Sequence, residues 1–64
     1  MKEIAENLEY IICEDGDSWV TIHRESKTEV DRVSKKFDPI YPLAACLKWG
    51  YNPIDSELIN KLAE

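Results

Sequence analysis

A chain of 64 residues makes one small domain that buries only about 60% of its unfolded surface, so its core is thin and its stability marginal. A net charge of −5 disfavours nonspecific binding to nucleic acid or anionic lipid, and 44% hydrophobic residues argue against disorder. Charge is unevenly spread: residues 1–22 hold six acids against Lys2 alone, while residues 23–36 hold five cations against three acids.

Met1, Ile4, Ala5 and Leu8 recur at helical spacing, which predicts a short amphipathic turn or two at the start of the chain. Two β-type runs follow, Glu9–Glu14 and Asp17–His23, around Asp15-Gly16, a pair suited to a type I′ hairpin turn. With those two residues as the loop, Ile12 faces Trp19, Ile11 faces Val20 and Tyr10 faces Thr21; a loop at Gly16-Asp17 shifts the pairing by two and leaves the faces unchanged. One face then carries Glu9, Ile11, Cys13, Val20, Ile22 and Arg24, and the other Leu8, Tyr10, Ile12, Trp19, Thr21 and His23.

Ser26-Lys27-Thr28-Glu29 has capping-box spacing and predicts a helix from Lys27 to Phe37 with Val30, Val33 and Phe37 as its apolar stripe. Pro39 and Pro42 turn the chain sharply. A third helix is expected from Pro42 to Trp49, apolar almost all round and therefore central, with Gly50 as its left-handed cap. Asn52-Pro53 reads as the cap and first position of a last helix that buries Ile54, Leu58, Ile59 and Leu62. The expected architecture is a single α+β domain over residues 1–64, a two-stranded antiparallel hairpin with three to four short helices.

No catalytic signature emerges. Cys13 and His23, the pair closest to a thiol nucleophile with its base, fall on opposite faces of the hairpin and at opposite ends of it. Cys46 on an apolar helix reads as an inert buried thiol. Two cysteines without CxxC spacing and one histidine do not make a four-ligand zinc site, so no metal or cofactor is expected. Glu14, Asp15 and Asp17 lack the ligand pattern of a calcium loop, Asp55 and Glu57 point apart on a helix, and neither Gly16 nor Gly50 belongs to a phosphate-cradling motif. A helix-turn-helix is equally unsupported, because the second helix carries only Lys48. No stretch approaches the roughly 20 apolar residues needed to span a bilayer, and no signal-peptide pattern opens the chain, so a reducing cytoplasmic setting is expected.

What remains is the aromatic hairpin face, with Tyr10, Ile12, Trp19, Thr21 and His23 as candidate binding residues. The face can be core covered by the terminal helix, since helices sandwich small sheets and tryptophan is often interior; the reading preferred over it is that a two-stranded hairpin, marginal alone, takes its cover from a second copy or another protein. The expected function is a non-enzymatic acidic protein-binding module, an inhibitor or antitoxin-like accessory protein of the kind phages and mobile elements encode. It would form a homo-oligomer and occlude a larger basic or nucleic-acid-binding protein. One alternative is an oligomeric binder of nucleotide-like ligands, with Trp19, Tyr10 and Tyr51 stacking a ring beside Arg24, Arg32 or Lys35. A weaker one is a nucleic-acid-binding regulator using Arg24 to Lys36.

Overall fold

The computed structural model describes residues 1–64 as β1 (Lys2–Glu6), β2 (Tyr10–Asp15), β3 (Ser18–His23), β4 (Thr28–Ser34), α1 (Tyr41–Trp49), β5 (Asn52–Pro53) and α2 (Ser56–Leu62). The strands form one sheet in the order β4-β3-β2-β1-β5, antiparallel throughout. The expected two-stranded hairpin with three to four helices is thus corrected: the chain is mostly sheet, five strands carrying two short helices.

The hairpin forms, with its turn one residue later than the first register. Asp15 pairs with Ser18, so Gly16 and Asp17 are the loop, and Tyr10 faces His23, Ile12 faces Thr21 and Glu14 faces Trp19. Gly16 has φ of 58° while Asp17 stays at negative φ, the signature of a type II′ turn rather than type I′.

Both overturned helices became strands, and each contains a bulge. In β1, Glu3 pairs with Cys13 and Ala5 with Ile12, leaving Ile4 as the extra residue. Ile4 and Ala5 are both fully buried, an arrangement that strict alternation forbids and a bulge permits. In β4, Asp31 faces Thr21 and Glu29 faces Ile22, so Val30 is the extra residue. A bulge sets neighbours on one face or stretches a spacing of two into three, which imitates helical periodicity; this is how Ile4 and Ala5, and again Val30 and Val33, read as helix, whereas Leu8 lies beyond β1 in the turn that follows.

The presumed capping box lies across the β3–β4 turn. Lys27 sits in left-handed backbone at φ 57° and its N–H donates to the His23 carbonyl at 2.7 Å, while Glu29 accepts from Arg32 instead of reaching back to Ser26. β-branched Thr28, Val30 and Val33 then suit the ladder that β3 offers.

After β4 the chain crosses one side of the sheet. The Trp19 indole N–H donates to the Asp38 carbonyl at 2.9 Å, anchoring the crossing before α1 begins. Proline in the first turn and Gly50 at φ 70° bound α1 as expected. It is not a central helix, however: only Pro42 and Ala45 are buried, and Leu47 is 77% exposed, because a helix laid on one side of a sheet buries a single stripe. Asn52 and Pro53, expected to start the last helix, instead pair with Glu6 and Ala5 as β5. α2 starts three residues later, at Ser56, where the capping Asp55 Oδ1 accepts from the Leu58 N–H at 3.1 Å.

The core is the layer between helices and sheet: Ile4, Ile12 and Trp19 below, Ala45 and Ile59 above, with Tyr41, Leu43, Cys46, Tyr51, Leu58 and Leu62 around them. No helix is long and apolar enough to cross a membrane.

Candidate binding surface

The five residues picked out on the hairpin do share one side of the sheet, but it is the side the helices cover. Ile12, Trp19 and Thr21 are buried, with Trp19 2% exposed. Lys35 Nζ sits 4.5 Å from the Trp19 ring centroid and bonds Glu14 at 2.6 Å, closing the end nearest the turn. These three are therefore core, and the expectation of a bare aromatic face is corrected for them. Five strands with both helices stacked on one side supply the cover that a lone hairpin lacks. Tyr10 and His23, at the far end of the same face, remain half-exposed.

The opposite side of the sheet has no helix. Cys13 and Val20 are nonetheless buried there, Val20 where the Arg32 side chain reaches across β3 to Asp15. Arg32, opposite Val20, bonds Asp15 at 3.0 Å and Glu29 at 3.0 Å, and Arg24 bonds Glu6. The guanidinium of Arg32 holds the Glu29 carboxyl below its usual range. Arg24, Arg32 and Lys35, three of the cations offered to a phosphate backbone or an anionic ligand, are thus already paired, and the segment that carries them is hairpin rather than helix.

At the open end of the helix side, rings gather that sequence spacing does not connect. Tyr10 meets His23 edge-on with centroids 5.6 Å apart. Tyr41, whose hydroxyl is 3.4 Å from that of Thr21, lies 6.3 Å from the Trp49 ring. Tyr51 follows the Gly50 cap, and burial, then the nearby Tyr41, pushes its hydroxyl pKa up. Trp49 keeps 59% of its surface exposed.

Beside this cluster lies a cleft of about 600 Å³, walled by Glu6, Asn7, Leu8, Glu9 and Arg24 on the strand side and by Gly50 and Asn52 on the other. Asn7 Oδ1 accepts from the N–H groups of Glu9 at 2.9 Å and Tyr10 at 2.7 Å, an Asx turn that holds Leu8 outward, 96% exposed. The sequence reading placed Leu8 beside the hairpin face but missed half-buried Tyr41 and exposed Trp49 as members of this end. A tryptophan just before a helix-ending glycine was the available signal, since the last turn of a helix projects past its packed stripe.

For reaction chemistry the arrangement offers little. Cys13 and His23 project to opposite sides of the sheet. Burial, and then Glu3, pushes the Cys13 thiol up, and burial does the same for Cys46, so both are poor nucleophiles. Glu14 and Asp15 at the hairpin tip are engaged by Lys35 and Arg32. Comparison of the chain with protein-family models, with curated proteins and with solved structures found no match in any of the three.

Proposed function

We propose that this chain is a non-enzymatic acidic binding module, an inhibitor or antitoxin-like accessory protein that occludes a basic surface on a larger protein. The observation that carries the reading is the cluster of Tyr10, His23, Tyr41, Trp49 and Tyr51 at one end of the molecule, with exposed Leu8 and the carboxylate of Glu9 beside it. Rigid aromatic anchors carry much of the energy at protein interfaces, and a net charge of −5 speeds encounter with a basic partner. The docking surface is thus the open end of the helix side, retaining Tyr10 and His23 and replacing Trp19 with Trp49.

Affinity capture from the native cell with the wild type and with Trp49→Ala, followed by titration of the purified partner, tests this. At least about tenfold weaker binding is expected for Trp49→Ala at unchanged melting temperature, the size of loss typical of an interface anchor. Equal affinity of the two proteins would refute the docking surface.

A further inference from the structure

The two edges of the sheet differ. The β5 edge is only Asn52 and Pro53, and proline donates no ladder hydrogen bond, so that edge is blunt. The β4 edge runs seven residues, Thr28–Ser34, with Thr28 through Arg32 exposed and Val30 showing half its surface. Only β2 and β3 have strands along both sides, and β1 is met by β5 at Ala5 and Glu6 alone, so β4 is the longest continuous edge, with no strand beyond it.

We infer that β4 is a self-pairing edge, and that two copies of this chain join there antiparallel about a twofold axis to make one continuous ten-stranded sheet. The argument is charge complementarity in one register, in which Glu29 of each copy lies opposite Arg32 of the other, Thr28 opposite Val33 and Val30 opposite Asp31. A slip of one residue sets Glu29 against Asp31, or Asp31 against itself, and like charges directly opposite destabilise a strand pair.

The bulge decides whether that register is geometrically allowed. In regular strands a twofold pairing matches residues whose numbers differ by an even count, because opposite residues share a face. Glu29 and Arg32 are three apart, yet both lie on the bare side of the sheet, opposite Ile22 and Val20, because Val30 is inserted between them. Thr28 and Val33, opposite His23 and Trp19, share the helix side for the same reason. The extra residue in each copy therefore keeps both faces in phase across the join. The Glu29–Arg32 pairs within each chain become a four-charge network across two.

A short edge-to-edge join buries less than a standard interface, so association is expected only at high concentration. Sedimentation equilibrium to about 1 mM should show the wild-type mass rising from one chain toward two, matching the micromolar-or-weaker affinity of small contacts. Glu29→Arg alone and Arg32→Glu alone each set like charges against like and should stay monomeric. An equimolar mixture of these two variants should associate one to one, because each supplies what the other needs. Repair of a pair within one chain does not produce that result. Amide exchange of Thr28–Ser34 in the wild type gives a reading independent of variant folding: the outward amides of this strand should slow as concentration rises, while those of Asn52 and Ile54 do not. A wild type monomeric throughout, a mixture that fails to associate, or association indifferent to both substitutions overturns the proposal.

Discussion

Trp19→Ala tests the interior directly. The indole is 2% exposed, packs among Ile4, Ile12, Ala45 and Ile59, donates to the Asp38 carbonyl at 2.9 Å and lies under Lys35. Removing a buried tryptophan costs about 3–5 kcal/mol in lost transfer energy and cavity. The unpartnered Asp38 carbonyl adds about 1 kcal/mol, and the lost ammonium–ring contact roughly 0.5–1 kcal/mol, giving about 4–7 kcal/mol in all. A chain of 64 residues has only about 3–10 kcal/mol of total stability. Trp19→Ala should therefore lose about half or more of its stability, whereas Trp19→Phe, which keeps most of the ring and loses the N–H, should lose about 1–2 kcal/mol. Urea titration followed by far-ultraviolet circular dichroism reads both. A folded Trp19→Ala protein less than about 2 kcal/mol below wild type would refute the enclosed indole, since that is less than the cavity alone should cost.

Leu47→Ala should change stability by less than about 0.5 kcal/mol, because the side chain is 77% exposed; a loss of several kcal/mol would restore α1 to the centre of the fold. Gly16→Val should cost roughly 1–2 kcal/mol through backbone strain alone, since at φ 58° no neighbouring atom would meet the new Cβ. Lys27→Gly should stabilise by about 0.5 kcal/mol, relief of left-handed strain outweighing glycine's greater unfolded-state entropy, and a net loss in thermal melts would contradict the turn conformation. The Asp55 carboxyl is held below its usual range by Lys2, at 2.7 Å, and by the Leu58 N–H. Its folded-state pKa being the lower one, the stabilisation is complete above the unfolded value of about 3.9 and is lost as pH falls through the folded value. Asp55→Asn keeps a capping oxygen but removes that proton linkage, so its acid melting profile should be flatter than wild type; identical slopes would count against the pairing.

Where the chain's shape depended on neighbours within one turn, it was legible. Gly16 required a turn of positive φ, Gly50 ended α1, and alternation from Tyr10 to His23 sorted the hairpin faces as observed. The proposed docking surface was legible only at Tyr10 and His23, because whether Trp19 or Trp49 meets solvent depends on where the helices lie. Segments 1–8 and 27–37 misled because the bulges at Ile4 and Val30 lengthen the strand period to something helix-like, and because Ser26 to Glu29 offers a cap that the β3–β4 turn overrides. A helix satisfies its backbone within its own segment, so its signals are local. A strand is completed only by a partner far along the chain, and here β2 and β3 gave those two segments a ladder to join.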